Sequence, residues 1–209
     1  MKKRLAEQNY NVAGPLERID RGITRCDNVI SELLDFSRTG SAQKMEIDLD
    51  NWLADTVKET AQSLPPVVEI ECSLGLEGRK LNFDPDRMQR VVINLISNAS
   101  EAMVGRGDAP VETNGRVPRI CIQSRLSPRG VELTVVDNGP GIKQENLTKI
   151  LEPLFTTKNF GTGLGLPAVQ NILLQHGGGL DIASKEGEGA SFTAWFPAES
   201  SPSGIMHAA

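Results

Sequence analysis

Asp137-Asn138-Gly139-Pro140-Gly141 and Gly161-Thr162-Gly163-Leu164-Gly165 bracket the stretch on which the reading of this chain turns. The first cluster closes an alternating run, Val131-Glu132-Leu133-Thr134-Val135-Val136, which predicts a strand with one carboxylate at its tip. The second opens a helix with Pro167 early in it, where a missing N–H costs nothing. Glycines ahead of a helix leave its first backbone N–H groups bare for an anion. One cluster suits a base and the other phosphates, with a polar segment between them as a flexible lid. The stretch therefore reads as a nucleotide site.

Outward from it the texture is mixed. On the C-terminal side the helix from about Leu166 ends at His176 and Gly177-Gly178-Gly179. Strands follow at Leu180 to Ser184 and Ala190 to Phe196, and a small, polar tail after residue 197 reads as disordered. On the N-terminal side, Arg119 to Arg125 forms a hairpin with residues 131–136, preceded by a Gly/Pro-rich surface loop over 104–118. Asp84-Pro85 starts a long helix to about Met103. Val67 to Leu74 and Arg79 to Phe83 read as a hairpin around Gly75 to Gly78. Asp50 reads as the cap of a helix to Ser63, after a short strand at Met45 to Leu49. Antiparallel strands mixed with helices, without regular βαβ units, predict an α+β sandwich with helices on one sheet face.

Residues 16–37 differ. Leu16, Ile19, Ile23, Cys26, Ile30, Leu33 and Ser37 recur in steps of three and four, a heptad seam that asks for a partner surface. The seam stops at Arg38-Thr39-Gly40-Ser41, which reads as a helix end and linker.

Composition narrows the class. With 209 residues, 39% hydrophobic and 23% charged, the chain can bury one good core. A net charge of −5 argues against nucleic acid and anionic membrane as partners. No apolar run approaches the ~20 residues that cross a bilayer, and the basic start lacks a signal-peptide core. Cys26, Cys72 and Cys121 stand far apart in apolar contexts and read as buried free thiols of a reducing, cytoplasmic compartment. Two histidines, His176 and His207, are too few for a histidine metal cage.

The helix from Asp84 carries the remaining chemistry. Met88, Val92, Leu95, Ile96, Ala99 and Met103 fall within about 100° of one another at about 3.6 residues per turn. Opposite them lies a polar stripe of Arg87, Arg90, Asn94, Asn98 and Glu101. Asparagine is a mediocre helix former, so the pair at i,i+4 asks for a reason. Its amide oxygen is a ligand that suits Mg²⁺. Each feature alone has a bland reading: a solvated helix face, a tight turn, or a glycine loop without Rossmann or Walker spacing.

Their order does not. Asn94-x-x-x-Asn98, Asp137-x-Gly139-x-Gly141 and Gly161-x-Gly163-x-Gly165 together resemble the ATP-binding superfamily of histidine kinases, gyrase, mismatch-repair MutL and the large heat-shock chaperone. The wording is most similar to the histidine kinases of the nitrogen-regulation-like branch. Asn94 to Met103 looks like their asparagine box, and Glu152-Pro153-Leu154-Phe155-Thr156-Thr157-Lys158 like their phenylalanine box. The likeness covers roughly residues 45–197.

The resemblance implies a two-layer α/β sandwich of α+β class, the Bergerat-type ATP-binding fold, with an N-terminal dimerisation helix. Residues 1–40 would be part of a dimerisation hairpin, mainly its second helix, and 41–197 the catalytic domain, with 198–209 as tail. It implies ATP and Mg²⁺ as cofactors. Asp137 would accept the adenine amino group, with Gly139 and Gly141 letting the backbone approach the ring. Asn94 and Asn98 would hold the metal and phosphates. Lys158 would reach the triphosphate, with Asn94 and Lys158 as catalytic residues, while Gly161, Thr162, Gly163, Leu164 and Gly165 close the lid. Implied partners are an acceptor-histidine helix of the parent kinase, a response regulator receiver domain, and a second copy through residues 16–37.

Two departures stand out. Gly189 is followed by Ala190-Ser191 where the family often has Thr, which removes a hydroxyl at that position. No histidine precedes His176, which reads as a structural helix end, so an acceptor would lie outside the chain. The expected function is that of the catalytic fragment of a two-component histidine kinase, whose parent is membrane-attached or not. A non-catalytic nucleotide-gated interaction module and a conformational ATPase are the competing readings. The last is disfavoured because Asn94 stands where the hydrolases carry an acid.

Overall fold

Alternation of apolar and polar residues along 131–136 predicts a strand with one buried face, and in the computed structural model that strand lies at the centre of a five-stranded sheet. The structure describes residues 14, 16, 19, 22, 23, 30, 42–105, 115–158 and 161–198. The chain divides into two units, Met1–Arg38 and Thr39–Ala209.

In the first unit the described residues Gly14, Leu16, Ile19, Gly22, Ile23 and Ile30 are helical. Leu16, Ile19, Ile23 and Ile30 are each more than half exposed. The seam positions Cys26, Leu33 and Ser37 lie outside the described residues.

In the second unit the order is β1 (Met45–Asp48), α1 (Leu49–Ala61), β2 (Glu69–Leu74), β3 (Lys80–Phe83), α2 (Pro85–Val104), β4 (Arg119–Ser127), β5 (Gly130–Asp137), α3 (Gln144–Leu147), α4 (Gly165–Gln175), β6 (Gly179–Lys185) and β7 (Gly189–Phe196). The main sheet runs β2-β4-β5-β7-β6, antiparallel except for the parallel β2–β4 pair, and β1 pairs with β3 in a separate two-stranded sheet. On its inner face large residues meet smaller ones across strands, as in Val131 against Phe196, Leu133 against Ala194 and Val135 against Phe192. The apolar side of α2, Met88, Val92, Leu95, Ile96, Ala99 and Met103, packs into the same core, with each residue almost wholly buried. Burying such side chains contributes roughly 1.5–3 kcal/mol each, so the register of α2 is firmly set. Its polar stripe is thereby turned away from the sheet.

Three expectations from sequence are corrected. Residues 67–74 and 79–83 do not form a hairpin. β2 lies parallel beside β4, where Arg119 forms ion pairs with Glu69 (3.2 Å) and Glu71 (3.5 Å). The intervening turn holds Glu77 and Gly78 at positive φ and carries the chain out of the main sheet, so that β3 pairs with β1. The cap of α1 is Asp48, whose Oδ1 accepts the Asn51 N–H at 3.2 Å. Asp50 instead accepts from the Leu76 N–H (2.8 Å) and the Ser124 hydroxyl (2.6 Å), tying α1 to the sheet. The third concerns the thiols, which are free but not buried: Cys72 is exposed and Cys121 partly so. Cys26 lies outside the described residues, as do 106–114 of the surface loop and 199–209 of the tail.

Candidate functional site

Asp84 caps α2 by accepting the Arg87 N–H on Oδ1 at 3.1 Å, with Pro85 in the first turn. This fixes where α2 starts, and its buried apolar side fixes its rotation. Asn98 and Glu101 then face a cleft of about 430 Å³, within the range of small-molecule sites. The other wall comes from Asp137, Pro140, Gly141, Ile142, Lys143, Asn146 and Ile150, with Leu166, Ala190 and Phe192 completing the apolar part.

Asp137 ends β5 and is 5% exposed. Its Oδ1 accepts the Gly139 N–H at 2.9 Å, and the Ala190 N–H also donates to the carboxylate. Burial pushes its pKa up, while those two N–H groups and the Lys158 charge pull it back. The hydroxyl missing at Ala190 thus leaves the carboxylate with a backbone donor from the same residue. A Cβ at Gly139 would lie 2.8 Å from Asp137 Oδ1 and 3.0 Å from Met103 Cγ. Gly141 sits at φ +71°, with a would-be Cβ 2.1 Å from the Lys185 carbonyl oxygen. Gly139 is therefore needed for close packing against the carboxylate, and Gly141 for the close approach of the backbone at Lys185 and Glu186.

The two asparagines of α2 part company. Asn94 turns its Nδ2 onto the Arg90 carbonyl at 2.9 Å, and its Oδ1 would lie 2.9 Å from a Cβ on Gly165. It does not line the cleft itself. The start of α4 thus lies directly over Asn94 and Asn98. Leu164 precedes α4, and its side chain makes no cap hydrogen bond to the helix. Gly163, at φ +71°, accepts the Leu154 N–H at 3.0 Å, and Thr162 Oγ1 accepts the Leu164 N–H at 3.3 Å. A Cβ at Gly161 would meet Thr156 Oγ1 at 2.4 Å. Residues 159 and 160 of the expected lid lie outside the described residues.

Lys158 joins this group. Its Nζ donates to Asn98 Oδ1 at 3.0 Å and to Glu101 Oε2 at 2.8 Å. Asn98 Oδ1 therefore already accepts a cationic group, which is the behaviour a hard metal ion asks of a ligand oxygen. The donor set fits Mg²⁺ on that ground, and the start of α4, which lies against the same asparagines, fits phosphate. His176 stays out of the site. It is 4% exposed, with Nε2 accepting the Asp84 N–H at 3.0 Å and Nδ1 at 2.8 Å from the Ile172 carbonyl oxygen.

Sequence reasoning set Glu101 on the polar stripe without a partner, although its spacing of three from Asn98 puts both on one helix face. It also passed over Ile142, Ile150, Leu166 and Phe192. Nothing local distinguishes these from ordinary core residues.

The chain is similar to known proteins. Residues 83–200 match the family model described as histidine kinase-, DNA gyrase B-, and HSP90-like ATPase. The chain is 33% identical over 174 residues to the sensor histidine kinase ZraS of Escherichia coli (strain K12), covering 83% of this chain and 35% of ZraS. It therefore spans about a third of that relative's length. Among solved structures, the nucleotide-free catalytic domain of histidine kinase ThkA matches with a TM-score of 0.63 and 28% identity, covering 75% of this chain and 96% of that domain. ThkA in complex with the response regulator protein TrrA shares the fold at a TM-score of 0.73 and 23% identity, over 94% of this chain and 54% of that one. The family match begins at β3 and takes in α2, the Asp137 turn and the glycine segment ahead of α4. On that match the chain belongs to the histidine kinase-, DNA gyrase B- and HSP90-like ATPase family.

Proposed function

We propose that this chain is the ATP-binding catalytic portion of a two-component sensor histidine kinase, which transfers the γ-phosphate of ATP to a histidine on a separate helix. The observation that carries the reading is the polarity of the cleft. A buried carboxylate, Asp137, lines it together with the Asn98 amide and the Lys158 ammonium, and the start of α4 lies against Asn94 and Asn98. An ionised Asp137 accepts a hydrogen bond from an adenine amino group and rejects guanine, whose carbonyl occupies that position. Asn94 and Asn98 are the residues that would hold Mg²⁺, which neutralises triphosphate charge when bound. Lys158 and the α4 N–H groups are the chain's own countercharges for the phosphates. Gly161 to Gly165, with Thr162 and Leu164, close over them.

Asn94 in place of an acid leaves this position without a base for water, which favours transfer over hydrolysis. The acceptor helix and a response regulator receiver domain are the protein partners of this reading. The ThkA–TrrA complex is a precedent for the second. A homodimer through residues 16–37 and a cytoplasmic setting belong to the same reading. Among the described residues no helix is long and apolar enough to cross a membrane.

The test is phosphoryl transfer. The chain, γ-labelled ATP, Mg²⁺ and a separate acceptor-helix fragment are incubated together. Label should appear on the fragment, and Asp137→Asn should reduce both transfer and ATP binding by at least about tenfold, equivalent to about 1.4 kcal/mol. Mg-ATP binding without any label transfer would instead favour the nucleotide-gated interaction module.

A further inference from the structure

We propose that Glu101 is a positioning residue that parks Lys158 on α2 until nucleotide arrives, so that Lys158 occupies the metal-binding oxygen as an internal cation. The inference rests on the nucleotide-site reading above and adds a step to it. Lys158 Nζ lies 3.0 Å from Asn98 Oδ1 and 2.8 Å from Glu101 Oε2, and the Glu101 side chain is 15% exposed. The carboxylate therefore holds the ammonium in a half-buried position, where screening is weaker than at an open surface. A divalent cation on the same amide oxygen would lie within a few ångströms of the ammonium. Two like charges that close, in a place where solvent screens weakly, repel one another strongly. Parked lysine and metal on Asn98 therefore exclude one another.

Lys158 also stands at the entrance to the glycine segment. Its own N–H is held by Thr156 Oγ1 at 3.1 Å, and its carbonyl accepts the Gly161 N–H at 3.3 Å. Moving the ammonium from Glu101 to a phosphate moves the residue from which that segment starts. Loading with Mg-nucleotide thus exchanges one partner of Lys158 for another, and the Glu101 contact is a cost that binding must overcome. A ligand shifts such an equilibrium only by its different affinity for the two states. Removing the parked state therefore tightens binding.

The experiment is calorimetric titration of Mg-AMPPNP into the full chain, Glu101→Gln, Lys158→Met and the double variant. Glu101→Gln should bind at least about threefold tighter than the parent, and the gain should vanish in the Lys158→Met background, the signature of a coupled pair. In the absence of nucleotide, trypsin should cleave after Lys158 faster in Glu101→Gln, because the side chain it must engage is no longer held. An equal gain in both backgrounds would mean that Glu101 acts only by repelling phosphates, and it would overturn the proposal. So would weaker binding of Glu101→Gln that depends on Mg²⁺, which would make Glu101 a metal ligand. If the parent itself fails to bind, the nucleotide reading falls and takes this one with it. A parent that binds while Glu101→Gln shows no gain overturns this inference alone. Should Glu101→Gln not fold, Glu101→Asp draws the carboxylate back by one methylene and is read in the same way.

Discussion

His176 joins the end of α4 to the start of α2 through two hydrogen bonds. A ring that donates from Nδ1 to the Ile172 carbonyl and accepts the Asp84 N–H on Nε2 is neutral, in a single tautomer. Burial lowers its pKa below the ordinary 6.5, the Ile172 carbonyl opposes this, and among the charged groups around it Lys44 and Arg87 lower it further while Asp84 raises it. The unfolded histidine takes up a proton as pH falls through about 6.5, whereas the folded one does so only at lower pH. Its contribution to stability is therefore constant above about pH 6.5 and is lost as pH falls from there towards the folded pKa. His176→Leu should remove that part of the pH dependence. It should also cost about 1–3 kcal/mol at pH 7.5, since the Asp84 N–H loses its acceptor. Urea unfolding at pH 7.5 and 5.5 checks both, and an unchanged difference between the two pH values would contradict the assignment.

At the scale of elements, two glycines that look alike in sequence do different work. Gly141 combines φ +71° with a backbone oxygen 2.1 Å from any Cβ, and neither can yield locally. Gly141→Ala should lower stability by about 2–4 kcal/mol. Gly165 opens α4, and the nearest atom to its would-be Cβ is the tip of the Asn94 side chain at 2.9 Å. That side chain can swing. Gly165→Ala should leave stability within about 1 kcal/mol of the parent, yet weaken Mg-ATP binding at least tenfold by displacing Asn94. Chemical denaturation and calorimetry on the two variants separate these outcomes. Equal stability losses would show that the α4 start is held as rigidly as the Asp137 turn.

For the whole molecule the open question is association. Leu16, Ile19, Ile23 and Ile30 present an apolar seam more than half exposed, which in water favours a partner surface. If the seam joins two copies, Ile23→Asp should convert dimer to monomer, as read by light scattering over a dilution series. A mass that does not respond to the substitution would remove the seam from the dimer.

The features that could be read from the chain alone are those whose cause is local. The apolar and polar sides of α2 follow from its spacing. The Asp84-Pro85 start follows from capping chemistry, and the turn after Asp137 and the opening of α4 follow from glycine. Pairing over distance is what escaped. β2 joined β4 rather than β3, and that partner lies across α2 in sequence, beyond the reach of any local signal. Asp50 gave up its expected cap for Leu76 and Ser124, and Cys72 came to the surface once β2 took its place at the sheet edge. Lys158 and Glu101, 57 residues apart, meet only because the core sets the rotation of α2 and the Gly161–Gly165 turn brings the chain back over it. Backbone preference and capping act within a few residues. Which charge faces which across a cleft is settled by packing.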